Sequence, residues 1–104
     1  MDTQQALEIA EKYAKVVAKE FNPKQILLFG SYLNGNPHEY SDIDIAVIFD
    51  SFSGDWWDGE ARLQAIRIEI DDEDIEPHLM ELDHDPSGFV HHVQKIGKVL
   101  YQKS

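Results

Sequence analysis

Leu27-Leu28-Phe29-Gly30-Ser31, followed after a polar stretch by Ser41-Asp42-Ile43-Asp44-Ile45-Ala46-Val47, is the part of the chain on which its fold turns. A short apolar run ends in a Gly-Ser turn, and two carboxylates at i and i+2 open the next apolar run. In an extended strand alternate side chains share a face, so Asp42 and Asp44 project together. Two like charges held that close repel unless a cation lies between them. A Gly-Ser turn at the start of a helix offers backbone N–H groups and a hydroxyl, which suit phosphate oxygens. The pattern points to metal and phosphate.

The surrounding sequence supplies a frame for this array. From Thr3 to Phe21, apolar residues at Ala6, Ile9, Ala10, Tyr13, Val16, Val17 and Phe21 keep helical spacing with one apolar face. Asp2 or Thr3 serves as N-cap, and Asn22-Pro23 stops the helix. Gln25 to Phe29 reads as a buried strand, 34–37 as a loop, and Ile43 to Phe49 as a central strand rich in Ile and Val. A helix runs from about Trp57 to Ile70, and Asp71 to Asp74 is an acidic turn. Ile75 to Leu82 is a third strand, which Pro77 confines to an edge or a bulge. Asp85-Pro86 caps and opens a last helix carrying Phe89, Val90, Val93 and Ile96. Gly97 ends it, and Val99 to Tyr101 forms a closing strand. The order α-β-α-β-α-β-α-β describes an α/β (α+β) domain, a small mixed sheet flanked by helices.

The chain of 104 residues fits one domain with one modest core, spanning 1–104. Its apolar runs are too short for a membrane span, and the N-terminus does not read as a signal peptide. It has no cysteine, which removes disulfides and thiolate metal sites and suits a reducing cytoplasm. A net charge of -11 argues against direct binding of nucleic acid, though it is compatible with a nucleotide whose charge is met by divalent cations. It also fits a partner with a basic surface, or plain solubility.

In combination, Gly30-Ser31-Tyr32-Leu33-Asn34-Gly35 and Ser41-Asp42-Ile43-Asp44 resemble the nucleotidyltransferase superfamily that includes DNA polymerase beta. More narrowly they resemble its smallest branch, the minimal nucleotidyltransferase (MNT) domains, and the resemblance extends over essentially the whole chain. It implies a nucleotidyltransferase fold and a third carboxylate on a later strand. Glu76 is the choice because it lies in an apolar-flanked strand, and Asp74 is the fallback. The resemblance further implies two-metal transfer with Mg²⁺ or Mn²⁺ held by Asp42, Asp44 and Glu76. Gly30 and Ser31 would hold the β- and γ-phosphates of ATP, with Asn34, Gly35 and His38 in the same phosphate loop. AMP would pass to an acceptor hydroxyl, and pyrophosphate would leave.

The loop departs from the family in one respect. Relatives often carry arginine there, whereas here no Lys or Arg lies between Lys24 and Arg62. His38 lacks the fixed fork of a guanidinium, which leaves the task to the metals or to Arg62 and Arg67 from the following helix. Those arginines read equally as a solvated helix face. His78 alternates onto the face of Glu76, where it lines the site or is an ordinary surface or core histidine. His91 and His92 point apart and make a poor metal pair. His84 is given no catalytic role, and Ser41 is a local cap rather than a nucleophile. Trp56 and Trp57 suit a nucleobase, a partner protein, or anchoring of the next helix.

The MNT resemblance implies a helical HEPN-domain partner in a type VII-like toxin–antitoxin pair, with a toxin tyrosine as the hydroxyl that receives AMP. Homo- or hetero-oligomers are both compatible with it. The competing reading is a nucleotidyltransferase-fold binding module, catalytically weak or inactive, that neutralises or scaffolds a partner by contact. Transfer to a small molecule such as an aminoglycoside ranks below both, for want of an acceptor domain.

Overall fold

The alternation of apolar and polar positions near the N-terminus becomes helix α1, Thr3–Phe21. Asp2 closes a capping box with Gln5: its carboxylate accepts from Gln5 N at 2.8 Å, and Gln5 Oε1 accepts from Asp2 N at 3.0 Å. Asn22, in the left-handed region at φ 52°, ends the helix by donating to Ala18 O. The computed structural model describes residues 2–30, 42–72 and 74–104. Over these residues the order is α1, β1 (Gln25–Phe29), β2 (Ile43–Phe49), α2 (Trp56–Glu69), β3 (Ile75–Glu81), α3 (Phe89–Ile96) and β4 (Lys98–Gln102). The helix expected after Gly30-Ser31 falls outside the described residues.

The strands form one mixed sheet in the order β3-β2-β1-β4. β1 pairs antiparallel with β2 and with β4, whereas β2 and β3 run parallel. Parallel neighbours need a crossover, and α2 supplies it. β3 takes an edge of the described sheet, where Pro77 removes a donor at least cost.

Alternation divides the sheet into two faces. Ile26, Leu28, Ile43, Ile45, Val47, Phe49, Ile75 and Leu79 turn towards α1 and α2 and build the larger core with Ala10, Tyr13, Val17, Leu63 and Ile66. Leu27, Ala46, Ile48 and Met80 turn the other way and are covered by Val90 and Val93 of α3. With 8 residues, α3 spans about 12 Å, too little to cover that whole face. The part left open lies where β2 and β3 begin, and there the side chains are polar.

Two expectations are refined. The last helix starts at Phe89 rather than at Pro86, because Gly88 takes φ 76° and breaks the first turn. Asp85 still caps it from a distance, accepting from Val90 N at 3.0 Å and His91 N at 3.1 Å. Burial pushes the Asp85 carboxyl upward, and those bonds together with His91 Nδ1 at 2.6 Å outweigh it and hold it below its ordinary value. The closing strand reaches from Lys98 to Gln102, and a bulge between Ile26 and Leu27 shifts its register. Among the described residues no helix is long and apolar enough to cross a membrane.

Tyr13 joins the two helices of the larger core. It is fully buried, and its hydroxyl donates to Leu63 O at 2.7 Å; burial raises its pKa well above the ordinary phenol value. Tyr13→Phe keeps the ring and removes this one bond. Urea unfolding should show a loss of about 0.5–1.5 kcal/mol with an unchanged m-value.

Candidate functional site

The parallel register sets Asp44 of β2 directly opposite Glu76 of β3, while on its other side Asp44 is paired with Phe29 of β1. Phe29, Asp44 and Glu76 thus form one row across three strands, on the face that α3 leaves partly uncovered. Asp42 is exposed and stands just ahead of β2. Extending the register would bring it opposite Asp74, which is also exposed and outside its strand. Of the expected triad, the fold brings Asp44 and Glu76 together on adjacent strands about 4.8 Å apart. It does not gather all three: among the described residues no group of three or more His, Asp and Glu side chains is assembled to hold an ion.

Gly30 fits against this row. It follows β1 at φ 85°, a conformation that favours glycine, and a Cβ built on it would collide with Asp44 Oδ2. The turn after β1 and the carboxylate on β2 therefore share one small volume that no other side chain at position 30 leaves open. The remaining phosphate-loop candidates, Ser31, Asn34, Gly35 and His38, lie outside the described residues, as does Ser41.

His78 belongs to the next row, opposite Ala46. Its Nε2 reaches diagonally back to Asp44 Oδ1 at 3.2 Å, and the small methyl of Ala46 leaves that line open. The Asp44 hydrogen bond raises the His78 pKa above its ordinary value, against the opposing effect of burial. The His78 ring lies 5.4 Å from Phe29, and Phe29 meets the edge of Phe89 at 6.3 Å. Phe29 and Phe89 were not singled out in the sequence. The place of Phe29 follows from the strand register, whereas nothing local in the sequence marks Phe89 as reaching the site.

Other candidates are placed elsewhere. Arg62 binds Glu20 at 2.6 Å and Glu69 at 2.7 Å, tying α2 to α1 on the opposite face of the sheet. Arg67 Nη1 donates to Ile75 O at 3.1 Å, at the start of the strand that carries Glu76. Trp56 anchors α2 against Phe52, at 6.3 Å and edge-on. Trp57 is 79% exposed at the other end of the sheet from Asp44, because α2 begins beyond the far end of β2. His91 is engaged by Asp85.

The donor set consists of carboxylate oxygens, which suit a hard divalent cation. Asp44 and Glu76 fit such an ion, and exposed Asp42 is the adjacent third donor. As it stands, Asp44 shares its charge with His78.

A family model described as Polymerase beta, Nucleotidyltransferase matches residues 11–104. A Methanocaldococcus jannaschii protein provisionally named protein adenylyltransferase is 49% identical over 43 residues, 41% of this chain and 43% of that protein. A second protein of the same organism and name is 45% identical over 42 residues, 40% of this chain and 49% of its own length. The chain thus spans less than half the length of these curated relatives in the matched stretch. Among solved structures, a toxin–antitoxin crystallised with AMP-PNP superposes with a TM-score of 0.62 at 29% identity, covering 88% of this chain and 73% of that one.

Folding favours the charged form of His78, so its contribution to stability is complete below the ordinary value of 6.5 and is lost as pH rises through its raised folded value. In metal-free protein, the melting temperature should fall over that interval, and His78→Gln should flatten this part of the profile. Calorimetric scans between pH 5.5 and 9 check it.

Proposed function

Because the chain belongs to the Polymerase beta, Nucleotidyltransferase family, we propose that it transfers AMP from ATP to a protein hydroxyl, a tyrosine of a HEPN-type toxin that it neutralises. The observation that carries this reading is the row in which Asp44 and Glu76 are register partners beside the Gly30 turn. The names of the relatives and the toxin–antitoxin bound to AMP-PNP support the same direction.

On this reading Asp42, Asp44 and Glu76 hold Mg²⁺. When bound, the ions would neutralise phosphate charge and make the acceptor hydroxyl more acidic. Gly30 keeps the space beside Asp44 clear for phosphate oxygens, and Ser31, Asn34, Gly35 and His38 complete the phosphate loop. Glu76, on the outer strand, faces the acceptor. A bond forms between the acceptor oxygen and the α-phosphorus as the hydroxyl proton passes to solvent, the bond from that phosphorus to the bridging oxygen breaks, and pyrophosphate departs with the electron pair. His78 steadies Asp44, and catalysis rests on positioning and charge neutralisation rather than on a protein nucleophile.

A second reading, a binding module without transfer, is favoured by the hydrogen bond that His78 makes to Asp44. Against it stands the electrostatic cost of keeping Asp44 and Glu76 side by side without use.

Purified protein incubated with Mg²⁺, α-phosphate-labelled ATP and the toxin encoded beside it should label that toxin. Asp44→Asn should lower the rate at least ~100-fold, the scale of losing one electrostatic stabiliser, with an unchanged circular dichroism spectrum. A wild-type protein that binds the toxin but leaves it unlabelled would support the binding module instead.

A further inference from the structure

All seven lysines of the chain lie in residues 1–24 and 95–104, whereas 16 of its 20 acidic residues lie in 25–94. The fold brings the two lysine-bearing segments together. α1 packs against β4, and Lys103 N donates to Lys24 O at 2.9 Å. With Asp2, Glu8, Glu11 and Glu20 counted against the seven lysines, these two segments carry a formal charge of +3 in a protein of net charge -11, and the fold makes them one flank of α1 and the edge strand β4.

That flank carries a groove of about 680 Å³ between α1 and β4. Ala14 and Ala18, one turn apart, line its α1 side beside the exposed Lys15 and Lys19, and Glu11 stands on the same wall one turn before Lys15. Leu100 and Tyr101 line the other side. These two are sequence neighbours that both pack on the larger core, and the bulge in the β1–β4 register accounts for it. In the described sheet β4 pairs on one side with β1, so its outer row of N–H and C=O groups faces away from the sheet. Lysines on an edge strand commonly guard it against pairing. Here Lys98 stands at the first residue of the strand and Lys103 just past its last, and the middle is Val99, Leu100 and Tyr101, with Val99 50% exposed.

We propose that this flank is a docking groove for an extended segment of a partner protein that alternates acidic and apolar residues and adds as a strand beside β4. Its backbone would pair with the outer edge of β4, as in other cases of strand addition. Its apolar side chains would enter the groove over Ala14 and Ala18, and its carboxylates would meet Lys15, Lys19 and Lys98. Charge complementarity selects this occupant. A second copy paired through its own β4 would bring two flanks of like net charge together, which is less favourable than an acidic segment. The surface is separate from the carboxylate row, so the proposal stands whether or not the chain transfers AMP.

The test uses the ¹⁵N-labelled full chain and an acetylated heptapeptide of alternating glutamate and valine. Saturable shifts are expected at residues 14–19 and 98–102, with slower amide exchange in β4. The Lys15→Glu, Lys19→Glu double variant should bind at least ten times more weakly while keeping its fold and its metal affinity. A peptide N-methylated on its pairing edge, or one of alternating lysine and valine, should fail to bind. Equal binding by either control, shifts centred elsewhere, or no binding would overturn the proposal. So would displacement of the peptide by a single-stranded oligonucleotide, or a dimer that already protects the β4 amides.

Discussion

The parallel pairing of β2 with β3 is the constraint on which the site depends. Its register places Asp44 beside Glu76, Ala46 beside His78 and Ile48 beside Met80, all on one face. Two of these rows hold ionisable side chains, and the third is apolar and lies under α3. A slip of one residue by either strand would turn its own carboxylate into the larger core, where burying uncompensated charge costs several kcal/mol per ion. The apolar alternation Ile43, Ile45, Val47 and Phe49 on the opposite face fixes the register against that slip. The same alternation that builds the core therefore aims the carboxylates outward.

Around this row the packing leaves little freedom. Gly30 approaches Asp44 so closely that a methyl group has no place between them. His78 occupies one oxygen of Asp44, partly offsetting its repulsion with Glu76, which lies opposite. Arg67, bonded to the carbonyl of Ile75, and Ile43 N, bonded to Asp74 O at 2.8 Å, secure the start of β3. The opening residues of both carboxylate-bearing strands are thus fixed by groups that belong to the scaffold.

Much of this was legible in the sequence, for reasons that were local. The Ile and Val run after Asp42 specified a buried strand, and Pro77 marked β3 as an edge or a bulge, of which the described sheet shows the edge. Glu76 rather than Asp74 proved to be the strand residue opposite Asp44, because only Glu76 lies inside the apolar alternation. Long-range relations were not legible. The diagonal from His78 to Asp44 requires knowing that β2 and β3 pair in parallel, and the capture of Arg62 by Glu20 joins residues 42 positions apart. The start of α3 was misplaced because Asp85-Pro86 is a good local cap, whereas the left-handed Gly88 delays the helix. Trp57 was a candidate for a nucleobase contact on residue type alone, and the topology puts it at the wrong end of the sheet.

The acidic turn at 71–74 offers a rival attraction for cations, since Asp71, Asp72 and Asp74 crowd there, and burial raises the Asp72 carboxyl against the opposing hydrogen bond from the Asp74 backbone. A crystal structure of the wild-type protein with Mn²⁺ and a non-hydrolysable ATP analogue separates the two places through the anomalous signal of manganese. The strand-register site predicts peaks between Asp44 and Glu76, with Asp42 drawn in and the phosphates lying against Gly30. Manganese found at the acidic turn, with Asp44 still bonded to His78 and no nucleotide beside Gly30, would contradict it.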